Sequence, residues 1–492
     1  MSNSPVLGSK IRAIRRSRQT GQAELAKQLD ISPSYLNLIE SGKRPVPGEL
    51  LLRVARALEV QLDAFAHDDE GRLLSDLTEA FSDPLFADAK LTMPELREFS
   101  TSSPSAARSV LSLYRAYQEA KERSEGLASR LEGTEVTAQP TLPSEEVSDF
   151  LQSKQNHFPE LELEAEDLCR RARLDVDDLY TGLVRTLEKE HGVHVRIARG
   201  ESERGTLRRY SPDKKELTLS ELLPTRSRTF QLAHQLGLLG ADRTMERLLE
   251  TGHFLSEPSR ALSRVSLANY FAGAVLLPYD AILRAAREER YDIDVLGRRF
   301  RVGFEQVAHR LTTLRRQGHE GVPFHMIRID VAGNISKRFS ASGIRFARYS
   351  GVCARWNIFQ AFLTPGMIRI QLSRMPDGFA YFCLARTIQK DSGGYHAQRP
   401  VQALGLGCRV EYAKELVYSD GIDLTNLESA TPVGVTCRMC DRADCEQRVL
   451  PSLHQPLEID TNVRGLSLYN AGKQQPLFHD RPLEKGRPSR GE

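Results

Sequence analysis

The sequence from Thr20 to Arg44, TGQAELAKQLDISPSYLNLIESGKR, predicts two short helices joined by a tight turn. The apolar residues of Gln22–Leu29 recur at helical spacing, which indicates a first amphipathic helix. Ser32 is a suitable cap for a second helix, and Pro33 suits the first helical position, where no N–H is needed. Gly42 suits the left-handed position that ends such a helix. Two helices joined in this way form a helix-turn-helix unit, whose second helix enters the major groove of DNA.

The second predicted helix has one apolar face and one small polar face. Tyr35, Leu36 and Ile39 lie on the first, and Ser34, Asn37 and Glu40 on the second, from which they can reach base edges. A small helical bundle without DNA-binding function would also contain short amphipathic helices. The capping, the polar face and the basic residues that follow favour a DNA reader. The predicted DNA contacts are Gln22, Ser32, Ser34, Tyr35, Asn37, Lys43 and Arg44.

Length, charge and cysteine usage limit the class of protein. A chain of 492 residues is too long for one core, so two to four domains are expected. Residues 1–60 hold ten Lys and Arg against five Asp and Glu, a local excess that can displace counterions from DNA. No apolar run has the length of a membrane span, and the N-terminus lacks a signal-peptide core. Seven cysteines are too few for a secreted disulfide scaffold. A soluble, cytoplasmic protein without a membrane partner is expected.

Residues 6–65 complete the predicted DNA-binding domain. Ile11 and Ile14 anchor a first basic helix, and a closing helix supplies further core residues, namely Leu51, Val54, Ala55 and Leu58. The pattern resembles the lambda-repressor-like (XRE) helix-turn-helix class over its whole length. Domains of this class usually bind as dimers, because a two-fold protein matches a two-fold operator.

Residues 66–148 are predicted to connect this domain to the next. A long helix is expected over Ala106–Leu131, with an apolar stripe of Val110, Leu113, Tyr114 and Tyr117. The stripe favours pairing of subunits over packing on the next domain. Gly133–Ser148 is predicted to be a flexible linker.

A second folded region is predicted over 149–335, with a helix at Leu179–His191, a strand at Val193–Ile197 and a hairpin of Thr206–Tyr210 with Glu216–Leu219. This order resembles the zinc-metallopeptidase-like domain of the family named for its radiation-resistance regulator. That family carries His-Glu-x-x-His, two metal ligands with a general base between them. Here Gln235 stands in the place of the Glu and Leu238 in the place of the second His. Proteolysis is therefore not expected.

The predicted cleft of this region keeps basic residues that suit an anionic ligand such as a nucleotide phosphate. Tyr270 and Phe271, in a helix predicted over Arg260–Leu277, are expected to wall the cavity. The alternative is that the arginines are solvated or ion-paired and that His234 is an ordinary core histidine. The predicted ligand-binding residues are Arg196, Arg226, Arg228, His234 and Tyr270.

Residues 336–470 are predicted to form an α+β unit, followed by a tail at 471–492. Strands are expected at Met367–Leu372, Phe379–Thr387 and Gln402–Glu411. Cys437, Cys440 and Cys445 place three thiols in one loop, with Cys408 as the predicted fourth ligand and Cys353 as its substitute. Four thiolates suit a 4Fe–4S cluster or a structural zinc, and spacing does not separate the two metals. Cys169 and Cys383 are expected to be buried apolar residues.

Nearly the whole chain resembles the short-chain fatty acyl transcriptional regulators, which control acetate, glyoxylate-bypass and propionate metabolism. In the last region the resemblance rests on several segments running into the cysteine motif, namely Cys353–Asn357, Gly407-Cys408, Val417–Gly421 and Thr431–Gly434. It implies acyl-CoA sensing in the central domain and, in members with these cysteines, a 4Fe–4S cluster.

The expected protein is a multidomain, non-enzymatic regulator. It combines an all-α helix-turn-helix domain, an α+β metallopeptidase-like domain and an α+β C-terminal metal-cluster domain. An acyl-CoA that prefers one arrangement of the central domain is expected to change how a homodimer, or higher homo-oligomer, grips promoter DNA. The cluster is expected to act as a redox or oxygen input or as a staple. The alternatives are a metallopeptidase that cleaves a repressor and a ligand-independent, antitoxin-type DNA binder.

Overall fold

The computed structural model describes a large part of the chain, in ranges separated by short gaps: residues 7–8, 11–12, 14–15, 18, 20–41, 44, 46–58, 69–86, 89, 91–131, 143–198, 206–346, 352–389, 400–437, 440–442, 445–452 and 467. The chain forms two compact units, Met1–Thr141 and Leu142–Glu492.

The first unit begins with the predicted helix-turn-helix. Its helices are α1 (Gln22–Gln28), α2 (Pro33–Glu40) and α3 (Gly48–Ala57). The amide of Tyr35 donates to Ser32 Oγ at 3.1 Å, so the predicted cap of α2 is confirmed. The core is formed by the predicted apolar residues, among them Ile11, Leu25, Leu29, Leu36, Ile39, Val54 and Leu58. Gly42 lies outside the described residues.

The prediction that Glu40 reaches base edges is wrong. Its side chain is buried, because Glu40 follows Leu36 by one helical turn and therefore shares the core face of α2. Arg15 Nε and Nη2 donate to the two carboxylate oxygens at 2.7 and 3.0 Å. Gln22 Nε2 adds a bond of 2.9 Å. The buried carboxylate is thus paired and fully hydrogen-bonded.

In the rest of the first unit, three α-helices of the described residues pack together, α4 (Asp69–Ala80), α5 (Met93–Ser102) and α6 (Pro104–Leu131). The long helix was predicted, but its buried face differs in part from the predicted stripe. Leu113 is 72 % exposed, whereas Ala107 and Leu111 are buried with Tyr114 against α4 and α5. Tyr114 also donates to Asp83 at 3.1 Å, so this stripe packs within its own unit.

The second unit opens with a helical body around a small sheet. Its strands are β1 (His194–Ala198), β2 (Arg208–Ser211) and β3 (Glu216–Ser220), with β3 central, parallel to β1 and antiparallel to β2. The predicted helix, strand and hairpin are therefore confirmed. Residues 143–148, predicted to end a linker, are helical. The helices are α7 (Pro143–Ser153), α8 (Pro159–Arg171), α9 (Leu179–His191), α10 (Thr225–Gly240), α11 (Asp242–Glu250), α12 (Glu257–Leu276), α13 (Tyr279–Glu288), α14 (Ile293–Arg299) and α15 (Phe304–Leu311).

A six-stranded sheet follows, which begins at His325, ahead of the predicted boundary at 335/336. Its strands are β4 (His325–Asp330), β5 (Ile335–Ser340), β6 (Arg369–Arg374), β7 (Ala380–Gln389), β8 (Val401–Arg409) and β9 (Thr431–Pro432), and a short helix, α16 (Asn357–Gln360), precedes β6. The strand order is β5-β4-β8-β7-β6-β9. Strands β6, β7 and β8 were predicted, and β4, β5 and β9 were not.

The two faces of this sheet belong to different cores. Phe382, Leu384, Leu404 and Leu406 join the large core of the helical body. Alternate residues of the same strands, among them Tyr381, Ala385 and Ala403, pack with Trp356 in a second core on the opposite face. Both faces of the central strands are therefore buried, which is why these strands lack a polar alternation.

No single helix in the described part of the chain is long and apolar enough to cross a membrane. The bent pair α12 and α13, with 65° between its helices, passes that test on length and composition. Both helices contribute to the large core of the second unit.

Arg15→Met is expected to destabilise the helix-turn-helix by about 3–5 kcal/mol, because it leaves the Glu40 carboxylate buried without its cation. Hydrogen exchange of the α2 amides in the full chain measures the loss of protection. Arg12→Met, which changes an exposed arginine of the same segment, is the matched control. Equal α2 protection in the two variants would contradict the assigned role of the pair.

Candidate functional site

The predicted DNA-reading surface comprises the exposed residues of α2 and Arg44, which follows the turn. Ser34 and Asn37 are exposed, and the Arg44 guanidinium lies over the half-buried Tyr35 ring at 5.8 Å from its centroid. Ser32 and Gln22 have structural partners, since Ser32 caps α2 and Gln22 donates to Glu40. Lys43 lies outside the described residues. Ser34, Asn37 and Arg44 are thus the predicted contacts best placed to reach DNA.

The degenerate peptidase motif lies inside the helical body on α10. The buried His234 Nδ1 is 3.0 Å from Asn269 Oδ1, an acceptor, so Nδ1 carries the proton. Nε2 has no hydrogen-bond partner among the described residues. Burial, with the nearby Arg208, lowers the pKa of His234 to about 4. Arg208, which the sequence analysis missed, donates from β2 to Gln235 Oε1 at 2.7 Å, so a cation faces the position of the metallopeptidase base.

The structure disperses the other predicted ligand-binding residues. Arg196 pairs with Glu216 at 3.0 Å on the small sheet. Arg228 donates to the Glu221 carbonyl at 2.9 Å, and Arg226 is exposed on the first turn of α10. These partners correspond to the alternative of solvated or paired arginines.

The prediction that Tyr270 walls a ligand cavity is wrong. Its side chain is buried, and its hydroxyl donates to Glu162 at 2.5 Å. Glu162 is also held by Arg310, which donates at 2.6 and 2.8 Å from two nitrogens. The hydroxyl is therefore a hydrogen-bond donor to the buried Glu162–Arg310 ion pair. Contacts between residues so far apart in the chain leave no pattern in the sequence around Tyr270.

The cysteines divide between the two faces of the six-stranded sheet. Cys408, the predicted fourth metal ligand, is buried on β8 in the core of the helical body, beside Phe382 and Leu406. Cys353 belongs to the opposite core. Burial raises the pKa of the Cys353 thiol, and the neighbouring Cys437 and Cys440 add to the shift. The thiol that accompanies the motif is therefore Cys353, the substitute, and the assignment of Cys408 is corrected.

The cysteine loop is held by an arginine that the sequence analysis did not identify. Arg448, 5 % exposed, donates to the carbonyls of Cys437, Cys440 and Arg442 at 2.6, 2.8 and 2.6 Å. The thiols of Cys440 and Cys445 also interact electrostatically. Within the part of the chain that the structure describes, no three His, Cys, Asp or Glu side chains converge closely enough to form a finished metal site. The donor set suits thiophilic metal, and its backbone is fixed by Arg448.

A pocket opens on the Trp356 face of the sheet. The pocket is small, with room for about one water molecule. The walls are mainly apolar, and the polar residues lie at one side. The lining comprises His325, Ile327, Ile344, Phe346, Trp356, Asn357, Ile358, Gln371, Ser373, Cys383, Leu384, Gly405, Leu406 and Val433.

Most polar residues of the pocket already have partners. Asn357 Nδ2 donates to the carbonyls of Arg369 and Cys383 at 3.0 and 3.1 Å, and Gln371 Oε1 accepts from Ser373 at 3.0 Å. The exception is His325. Its Nδ1 is 2.7 Å from Ser342 Oγ, whereas its Nε2 has only the weak contact of 3.8 Å with Cys383 Sγ. The pocket therefore offers apolar surface and one available imidazole nitrogen.

One short turn joins this pocket to the cysteine loop. Trp356, a wall of the pocket, donates its amide to the Cys353 carbonyl at 3.2 Å and its indole N–H to the Gly434 carbonyl at 3.0 Å. Gly434 lies so close to Cys440 that an added Cβ would meet its sulfur at 3.0 Å. A displacement of Trp356 would therefore change the contacts of Cys353 directly and those of Cys440 through Gly434.

Three family models match successive parts of the chain. The helix-turn-helix model matches residues 11–65, the IrrE N-terminal-like domain of peptidase family M78 matches 188–312, and the model described as "Short-chain fatty acyl coenzyme A regulator, C-terminal" matches 313–469. Both the pocket and the cysteine loop lie in the last of these regions.

Relatives match over almost their whole length. The HTH-type transcriptional regulator PrpR of Mycobacterium tuberculosis is 37 % identical over 468 residues, covering 95 % of this chain and 96 % of the relative. The chain belongs to the short-chain fatty acyl coenzyme A regulator family. RamB of the same organism is 37 % identical, and the propionyl-CoA carboxylase regulator of Cereibacter sphaeroides 38 %, each covering 94 % of this chain and 98 % of the relative.

A solved structure supports the same assignment. The chain described as a Mycobacterium tuberculosis transcriptional regulator has 40 % identity and a TM-score of 0.65, covering 67 % of this chain and all of that one. As a member of this regulator family, the protein is a DNA-binding transcriptional regulator of short-chain acid metabolism and not an enzyme. The two substitutions in the metallopeptidase motif agree with that assignment.

Acidification is expected to destabilise the second unit of this protein, because His325 is buried in its neutral form. Burial lowers the pKa of His325 to about 3, against an ordinary value of 6.5. Below that ordinary value the unfolded chain binds a proton at His325 and the folded chain does not, so stability falls as pH falls. The loss approaches about 1.4 kcal/mol per pH unit for one such histidine.

Urea unfolding of the full chain between about pH 7 and pH 5, where carboxylates stay ionised, measures this slope. His325→Gln is expected to reduce it by the contribution of one proton. His319→Gln, at an exposed position, is the control and should leave the slope unchanged. If His325→Gln also left it unchanged, His325 would not be held neutral in the folded protein.

Proposed function

We propose that this regulator binds a short-chain acyl-CoA and that binding changes the affinity of its helix-turn-helix heads for promoter DNA. The observation that carries the proposal is the mainly apolar pocket on the Trp356 face of the sheet. It lies in the region matched by the family model named for acyl-CoA. The proposed acyl site is therefore this pocket rather than the arginines of the central region, of which Arg196 and Arg228 have other partners and Arg226 is exposed.

The chemistry of the pocket suits the thioester end of such a ligand. Ile327, Ile358 and Trp356 offer apolar surface to an alkyl tail. Burial keeps His325 neutral, and if the Ser342 hydroxyl donates to Nδ1, the Nε2–H is left to donate to a thioester carbonyl. The ligand would then give His325 Nε2 a stronger partner than its weak contact with Cys383 Sγ.

We propose that Cys353, Cys437, Cys440 and Cys445 hold a 4Fe–4S cluster, with structural zinc as the alternative. A bound cluster supplies one-electron redox chemistry, whereas zinc supplies a cross-link only. The protein contributes thiolates from two segments, and Arg448 fixes the carbonyls of the loop. Through the Cys353–Trp356 turn, a movement of the Cys353 ligand would shift the Trp356 wall of the acyl pocket, and a movement of Trp356 would shift Cys353.

DNA binding is proposed to involve a homodimer, or a higher homo-oligomer, in the cytoplasm. A helix-turn-helix head reads only one half-site, so two heads are needed for a two-fold operator. Ser34 and Asn37 would contact base edges in the major groove, and Arg44 a phosphate.

The chain has a single tryptophan, Trp356, so its intrinsic fluorescence reports directly on the proposed pocket. Titration with propionyl-CoA is expected to give a saturable change in intensity or wavelength, because the acyl tail displaces water beside the indole. CoA without an acyl group is the control and should give a smaller change. Identical titrations with the two ligands would contradict acyl sensing at this pocket.

Asn37→Ala is expected to weaken operator binding by about 1–3 kcal/mol and to relax specificity at one base pair, as for loss of a base contact. Arg44→Ala should instead weaken binding to all sequences and lower the salt dependence by about one ion. Fluorescence anisotropy at several salt concentrations separates the two effects. Arg53→Ala, exposed on α3, is the control. Unchanged binding in both test variants would refute the DNA surface.

Anaerobically purified protein is expected to contain iron and sulfide and to show visible charge-transfer absorption. Both should be lost in Cys440→Ser and Cys353→Ser, because each removes a proposed ligand. Cys408→Ser, in the opposite core, is the matched control and should keep the colour. Loss of colour in Cys408→Ser with retention in Cys353→Ser would reverse the assignment, and a colourless protein with stoichiometric zinc would identify the alternative metal.

A further inference from the structure

One glycine lines the proposed acyl pocket between two isoleucines. Gly405 lies on β8, paired with Ile327 of β4 on one side and Ala385 of β7 on the other. A Cβ added to it would lie 3.1 Å from Ile327 Cγ2 and 3.3 Å from Ile358 Cδ1, and both isoleucines line the pocket. The space beside Gly405 is therefore bounded by two methyl groups.

The neighbouring glycine of the same strand has a different role. A Cβ at Gly407 would lie 2.6 Å from the His325 ring and 2.8 Å from the Phe382 carbonyl oxygen. The backbone oxygen cannot withdraw as a side chain can, so the packing of the sheet requires a glycine at 407. At 405 the two nearest atoms are ends of side chains, and the need for a glycine is weaker. The closest contacts beside Gly405 are thus made by side chains of the pocket, whereas those beside Gly407 include the backbone of the sheet.

We propose that Gly405 and Ile358 set the upper limit on the length of the acyl chain that this regulator accepts. The inference rests on the proposed acyl-CoA function. The pocket has room for about one water, so an acyl tail of two or three carbons already reaches the methyl groups that close it. Each further methylene must displace the packed methyl groups of Ile327 or Ile358. In such pockets one methylene changes selectivity by about 10- to 200-fold.

The pair gives two substitutions with opposite expected effects. Gly405→Ala adds a methyl between the isoleucines and should lower the affinity for propionyl-CoA relative to acetyl-CoA by about tenfold or more. Ile358→Val removes the Cδ1 atom that faces Gly405 and should raise the affinity for butyryl-CoA relative to propionyl-CoA by a similar factor. The double variant should return both ratios towards those of the wild type, because one methyl replaces the other.

The test is the ratio of dissociation constants for acetyl-, propionyl- and butyryl-CoA, measured on the full chain by Trp356 fluorescence. Ile370→Val, at a partly exposed position of β6 that does not line the pocket, is the control and should leave the ratios unchanged. Opposite shifts in the two single variants support the proposal. Ratios within twofold of the wild type in both variants, with acyl-CoA still bound, overturn it and leave the proposed function standing.

Two further outcomes are distinguishable. If the wild type shows no acyl-dependent fluorescence change, the proposed function fails, and the length limit fails with it. If Gly405→Ala does not fold, as judged by thermal melting, Ile358→Val alone decides. A gain for butyryl-CoA in that variant supports the proposal, and no gain overturns it.

Discussion

The packing of β7 and β8 on both of their faces is the constraint on which the rest of the second unit depends. Phe382 and Leu404 anchor one face in the helical body, and Tyr381 and Ala403 support Trp356 on the other. Because side chains alternate along a strand, neither set can shift without moving the other. The helical body, most of which matches the IrrE N-terminal-like family model, therefore serves as a base for a pocket on the far side of the sheet.

On that far side, one tryptophan connects two kinds of chemistry. Trp356 walls the pocket, and its two N–H groups donate to the Cys353 and Gly434 carbonyls, which belong to the segments carrying the cysteines. Arg448 holds the cysteine loop through three further carbonyls, those of Cys437, Cys440 and Arg442. A movement of Trp356 would therefore be transmitted to the loop rather than lost in backbone flexibility. A metabolite and a metal centre placed in this way would bias the same local arrangement, and each would change the affinity for the other.

Local sequence patterns predicted the local structure, and long-range contacts account for what they missed. The Ser32 cap, the helix at Leu179–His191 and the hairpin at Pro212 depend on neighbouring residues only, and all three are present. Glu40 and Tyr270 carry polar groups, yet each is buried because a residue distant in sequence is its partner: Arg15 pairs with the Glu40 carboxylate, and Glu162 accepts from the Tyr270 hydroxyl.

The choice between Cys353 and Cys408 could not be made from spacing, because it depends on which face of a sheet each residue occupies. The sequence favoured Cys408 because it lies in a predicted strand that neighbours the motif, but its side chain enters the opposite core. The pocket was missed for the same reason, since β4 and β8 are brought together across about 75 intervening residues of chain, as in the pairing of Ile327 with Gly405.

The central claim is that occupancy of the acyl pocket changes the grip on DNA, and the most direct measurement is operator affinity with and without propionyl-CoA. It should be made on the full chain at fixed salt, with Trp356 fluorescence confirming that the pocket is occupied. We predict a change in operator dissociation constant of about 5- to 150-fold, the usual range of coupling between two sites. Equal affinity with the pocket empty and filled would contradict the account.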